Sequence, residues 1–209
     1  MRIDLLKTSP DRAGRYAVHF SDGSVMRLYR QTVEDFGLYS GKELTDDEMN
    51  ALQKAAGQMS SKMRAVRIVA ASSVTKGDLE RRLVQKGEDP DQAKDAVAWM
   101  SELNLLDDSR VAEQVVQRCI GRGYGLARAK QALYEKKVPK QYWDAALADY
   151  PDQMEEITDF LRTRLGEEYD QRELKRVIDA LMRRGHSYGV VRKALNRLKL
   201  DHDDFLEEE

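Results

Sequence analysis

Cysteine is all but missing from this 209-residue chain, which has one, Cys119. A single thiol cannot close an intramolecular disulfide, and a reducing, cytoplasmic setting is expected. Cys119 itself reads as a small apolar residue, buried or half-buried. Histidine is nearly as scarce. His19, His186 and His202 are scattered along the chain, so no metal site or catalytic triad can be assembled, and neither a cofactor nor an enzymatic activity is expected. No apolar run reaches the roughly eighteen residues that a membrane-spanning helix needs. The opening MRIDLLKTSPDR lacks the continuous apolar core of a signal peptide. No membrane partner is expected. An excess of either charge is missing too: 35 basic residues face 37 acidic ones, for a net charge of -2, which excludes a simple polycation that coats nucleic acid. What is present is a chain with 34% charged and 41% hydrophobic residues, densely charged yet able to bury a core.

The first thirty residues have a strand-like period. Ile3 and Leu5 alternate with polar neighbours, as do Tyr16, Val18 and Phe20, and Ser21-Asp22-Gly23 precedes a run through Val25, Met26 and Leu28. An Asp-Gly between such runs signals a hairpin, so a small antiparallel sheet of two or three strands is predicted, packed on helices for stability. Gly37 and Gly41 break the chain, and Thr45 to Glu48 has the spacing of a capping box at a helix start. That helix is expected to run through Met49 and Leu52 and to break at Gly57.

From there on one pattern repeats at intervals of about 50 residues. Anchored on Gly87, Lys137 and Gly185, it places a leucine four residues before each anchor (Leu83, Leu133, Leu181). It places alanine nine residues after it (Ala96, Ala146, Ala194) and an aliphatic residue ten after it (Val97, Leu147, Leu195). Such a period marks helical units that bury their apolar faces by stacking. The fold class predicted is mainly α: a curved tandem array of three three-helix repeats with a small N-terminal antiparallel β element. The expected domains are an extension over 1–57, repeats over 58–104, 105–150 and 151–200, and an acidic tail over 201–209. Helices are expected over 58–71, 75–86 and 90–103, then 108–121, 125–137 and 139–149, then 152–166, 170–184 and 187–199. Thr75, Asp89-Pro90, Val138-Pro139 and Pro151-Asp152 are placed to start helices.

Asp107-Asp108 resembles a carboxylate pair, but no ligand-spaced partner stands near it, and capping of the following helix is the better reading. Gly121-Arg122-Gly123-Tyr124-Gly125 suggests a phosphate cradle. It has no P-loop ending and follows no strand, so a tight interhelical turn with positive φ is favoured, with Arg122 and Tyr124 exposed. Trp99 and Trp143 fall on inward stripes and are expected in the core.

In the second repeat, Leu105-Leu106-Asp107-Asp108-Ser109-Arg110, Ala112, Arg118, Gly123-Tyr124-Gly125, Leu133 and Lys136 resemble the central signature of the RecX family, which binds and modulates the RecA recombinase. Leu181-Met182-Arg183-Arg184-Gly185, with Tyr188 and Val191, is similar to the family's third-repeat signature. Phe36-Gly37-Leu38 and Gly41-Lys42-Glu43-Leu44 are similar to the N-terminal extension of its longer members. The chain departs from the family's pattern at Val111 (commonly an aromatic), at Lys137 (commonly glycine) and at His186 (commonly phenylalanine).

The resemblance implies a non-enzymatic regulator of the RecA filament that inhibits recombinase activity in DNA repair and the SOS response. It needs no nucleotide or metal, and a monomer is expected. A helical module acting directly on single- or double-stranded DNA is the alternative, because basic residues are dense here. The candidate partner-binding residues are Arg118, Arg122, Tyr124, Lys130, Lys136 and Lys137 around the glycine linker, and Lys175, Arg176, Arg183, Arg184, Arg192 and Lys193 in the third repeat. About half of the basic residues are expected to be ordinary solvated surface. The rest would form a positive stripe suited to an acidic filament groove or to DNA phosphates.

Overall fold

The computed structural model describes residues 1–8, 14–166 and 169–198. The tail expected over 201–209, and the end of the last predicted helix, lie outside the described residues. The fold is mainly helical with a small antiparallel sheet at its start, and the chain divides into two units at Leu106/Asp107.

In the first unit, β1 (Ile3–Thr8), β2 (Arg15–Phe20) and β3 (Val25–Tyr29) form an antiparallel sheet in the order β1-β2-β3. The hairpin closes through Ser21-Asp22-Gly23. Gly23 sits at φ +85° and Asp22 accepts from the Ser24 amide at 2.9 Å, so glycine occupies the left-handed position that a three-residue loop needs. Ile3, Val18, Phe20 and Leu28 bury one sheet face against Val33, Leu38, Leu44 and Leu52. A short α1 (Arg30–Asp35) has no counterpart among the predicted elements, because six residues are too few to show a helical period.

The expected break at Gly57 is absent. α2 runs unbroken over Asp46–Ala71 from the Thr45/Glu48 capping box. A Cβ at Gly57 would come within 2.4 Å of the Gln92 side-chain amide, so Gln92 packs against the helix at that point. α3 (Lys76–Gln85) and α4 (Pro90–Glu102) pack with α2 around Ala65, Leu79, Leu83, Ala96 and Met100. Buried Glu88, on the α3–α4 turn, accepts from Ser61 Oγ at 2.8 Å and pairs with Arg64 at 2.7 Å, which ties that turn to α2.

The second unit holds α5 (Asp108–Ile120), α6 (Leu126–Glu135) and α7 (Trp143–Leu147), then α8 (Met154–Leu165), α9 (Gln171–Arg183) and α10 (Tyr188–Arg197). Asp107 caps α5, accepting from the Arg110 amide at 3.0 Å, and the acceptor role holds its carboxyl below the ordinary aspartate range. Cys119 is buried, and burial pushes its thiol pKa up. Two expectations fail here. The stretch predicted as one helix over 139–149 is a 3-10 turn, Lys140–Tyr142, followed by a five-residue helix. Pro151-Asp152 does not cap α8, whose N-cap is Gln153, without a side-chain bond. Trp99 and Trp143 are half-buried against their clusters rather than enclosed. The Trp143 indole N–H donates to the Val138 carbonyl at 3.0 Å, which satisfies its one polar group.

The repeat anchors have one structural meaning. Gly87, Lys137 and Gly185 follow α3, α6 and α9 at φ +86°, +55° and +87°. In each case the next amide bonds back to the carbonyl of the leucine four residues before the anchor: Glu88 to Leu83, Val138 to Leu133, His186 to Leu181. These are Schellman motifs, and they explain the periodic leucine by its carbonyl as well as its buried side chain.

Candidate functional site

The second unit contains a seam between its two helical clusters, and the seam is built from the glycine linker. Gly123 at φ +61° turns the chain, as the sequence suggests. Gly125 does something else. Its amide donates to the Arg184 carbonyl at 2.9 Å and the Ala127 amide to the Gly185 carbonyl at 3.3 Å. A Cβ at Gly125 would stand 2.1 Å from the Gly185 oxygen, and one at Gly185 would stand 2.4 Å from the Arg128 nitrogen. Two backbones thus meet where no side chain fits.

Side chains lock this contact. Arg184 Nη2 donates to the Arg122 carbonyl at 2.7 Å. Its guanidinium lies 5.6 Å from the Tyr124 ring centre and 5.2 Å from that of Phe160, within cation–π range of both. Tyr150 donates its hydroxyl to the Tyr124 carbonyl, and burial lifts its pKa to about 12. His186 is only 7% exposed, with Nε2 at 3.1 Å from the Gly123 carbonyl. A carbonyl can only accept, so Nε2 carries the proton. Burial lowers the His186 pKa; the bond to Gly123 opposes this and the nearby Arg184 charge reinforces it.

Docking at the seam opens a groove of about 550 Å³. Tyr124 and Arg128 reach it from the linker and α6, Phe160 and Arg164 from α8, and Arg176, Arg183 and Arg184 from α9 and its end. Residues 176, 180, 183 and 184 share one face of α9 by their spacing, while Leu174, Ile178 and Leu181 on the other face are buried. Ala180 between the arginines leaves room for the groove. Arg164 also lies over Phe160, at 5.5 Å. Arg128 pairs with Glu135 at 3.0 Å, and this hydrogen bond raises its pKa. None of the residues that line the groove is acidic.

Of the candidates from the sequence, Tyr124, Arg176, Arg183 and Arg184 line this groove. Lys130 lines a separate groove of about 480 Å³ beside Tyr150, Gln153 and Ser187. Arg118, Arg122, Lys137, Lys175, Arg192 and Lys193 are exposed and Lys136 is half-exposed, and all seven stand outside both. Tyr124 is half-buried rather than exposed, because Arg184 covers its ring. Arg128 and Arg164 belong to the basic residues weighed from the sequence but not to the candidates chosen from them, and Phe160 was left out. The Phe160/Arg164 spacing of four residues on α8 was the available signal, and it is too common on amphipathic helices to stand out.

The family model described as "RecX, second three-helix domain" matches residues 107–147. The regulatory protein RecX of Leptothrix cholodnii is 32% identical over 148 residues, which cover 70% of this chain and 94% of that protein. The regulatory protein RecX of Clostridioides difficile is 21% identical over 210 residues, 98% of this chain and 97% of that protein. Among solved structures, a crystal structure of regulatory protein RecX aligns with a TM-score of 0.61 at 20% identity, covering 93% of this chain and 98% of that one. RecX from Lactobacillus salivarius aligns at 0.58 and 19% identity, covering 69% of this chain and 98% of its own. At these identities the two structures speak to the fold alone.

Proposed function

This chain belongs to the RecX family, and we propose that it binds RecA recombinase filaments and inhibits their activity in DNA repair and the SOS response. It acts as a monomer in the cytoplasm, by contact and without catalysis of its own, through the three-helix repeats at 58–104, 105–150 and 151–200. The observation that carries this reading is the arginine groove. Five guanidiniums around one opening with no acidic lining residue make a strongly positive surface, which suits the acidic groove of a filament and steers association. Arg118, Arg122, Lys130, Lys136, Lys137, Lys175, Arg192 and Lys193 add contacts around it, each of them weak, and many weak contacts to one polymer combine into a high effective concentration.

Co-sedimentation with recombinase filaments on single-stranded DNA, beside bare DNA and across a salt series, tests this. Binding that needs the filament supports the proposal. Equal binding to bare DNA, weakening with salt at a slope near -0.9 per phosphate contacted on duplex, would favour the second reading, a helical module acting on DNA directly. The contact face is tested by the triple variant Arg164→Gln, Arg176→Gln, Arg183→Gln. Arg184 is left intact because it holds the seam. A loss of about tenfold or more in filament affinity is expected from removing these charged donors, and unchanged affinity in the folded variant would remove the groove from the interface.

A further inference from the structure

The groove keeps more unneutralised charge than a resting surface has reason to hold. Arg128 has Glu135 as a partner, but among the described residues Arg164, Arg176 and Arg183 make no ion pair. Like charges gathered on one opening oppose folding unless something bound there offsets them. The aromatic rings point to what that is. Phe160 has two guanidiniums over it, from Arg164 at 5.5 Å and Arg184 at 5.2 Å, and Tyr124 has Arg184. The rings therefore fix the direction of the Arg164 and Arg184 guanidiniums and are not free platforms for a base. An oriented guanidinium fork suits oxyanions, phosphate above all, because its paired N–H groups meet two oxygens at once. A space of about 550 Å³ is too large for one phosphate and accommodates a short chain of them. With no carboxylate in the lining, no side chain there can share a divalent cation with the ligand, so the guanidiniums alone meet its charge.

We propose that this groove is a binding site for a polyphosphate chain, free or carried on a nucleotide, held by Arg128, Arg164, Arg176 and Arg183. Arg184 is committed to the Arg122 carbonyl and acts as the wall that joins the two clusters. Because the ligating residues come from α6, α8 and α9, the bound chain bridges both sides of the seam and stabilises their docking.

The test uses the full chain without recombinase or nucleic acid, at fixed ionic strength. Tripolyphosphate and magnesium-free ATP are titrated calorimetrically, and thermal melting is followed in parallel. Saturable binding of both is expected, with affinities within about threefold of each other because the base is not read, together with a rise in melting temperature. Arg176→Gln with Arg183→Gln should weaken binding by about tenfold or more. Arg110→Gln with Lys140→Gln removes equal charge at two exposed positions outside the groove and should leave binding unchanged. Absence of saturable binding overturns the proposal, and so does an equal loss in this second double variant, which would mean diffuse charge attraction. Binding of an oligothymidylate strand of about ten nucleotides in preference to both probes also overturns it and assigns the groove to a phosphodiester backbone. The partner-binding reading uses the same groove, but this assay contains no filament, so either can fail without the other.

Discussion

Gly87 and Gly185 occupy the same place in the repeat and the same backbone conformation, φ +86° and +87°, yet their surroundings are opposite. At Gly87 a Cβ would meet nothing within 4 Å; at Gly185 it would meet the Arg128 backbone at 2.4 Å. One glycine ends a helix. The other ends a helix and admits a second backbone, and that second role brings Arg128 and Tyr124 beside Arg183 and Arg184. A helix-ending motif that occurs in both units thus becomes a groove wall in the second, where another turn docks against it.

Substitution can separate the two roles. Gly185→Ala should have the largest effect, about 3–5 kcal/mol of lost stability, from overpacking and the broken seam hydrogen bonds. Denaturant unfolding reads the loss, and amide exchange at 123–128 should rise with it. Gly87→Ala should cost only the strain of a left-handed alanine, about 1–2 kcal/mol, without altering exchange at the seam; a cost equal to that of Gly185→Ala would erase the distinction. Lys137 already bears that strain at φ +55°. Lys137→Gly should therefore raise stability by about 0.5–1 kcal/mol, strain relief less the extra chain entropy of glycine, seen as a higher unfolding midpoint.

The gentlest probe of the seam is a proton on His186. Its folded pKa lies below the ordinary value of 6.5. Above 6.5 the ring is neutral folded or unfolded, and its contribution is fully present. As pH falls below 6.5 the unfolded chain binds the proton first, so this stability declines and is lost once pH passes through the folded pKa. His186→Phe should remove that part of the acid sensitivity between about pH 7.5 and 5.5. A denaturant midpoint with the same pH dependence in both proteins would sink this assignment.

Much of the fold was legible because its signals are local. The Thr45/Glu48 box, the Asp107 cap, the Gly23 hairpin loop and the periodic leucine-to-anchor spacing each act within a few residues, where sequence distance and spatial distance agree. Gly57 misled for the converse reason. In sequence a glycine mid-helix looks like a break; in the structure Gln92, 35 positions further along, packs against the helix at that point. The site was legible only in part: composition marks Arg128 and Arg164 no differently from Arg176, Arg183 and Arg184, so nothing local selects the residues that share the groove, and Phe160 carries no charge to mark it.

By itself the sequence determined the helical class, the sheet at its start, the repeat period with its anchors, and the family. Those follow from hydrogen bonds and apolar periods that close within one element or one turn. Tertiary structure alone decided which basic residues share a groove, because arginines look alike in sequence and are sorted by packing. Gly125 meeting Gly185 draws α6 and α9 together, Arg184 is held between two rings, and the charges left facing the opening are those that this close backbone approach could not bury.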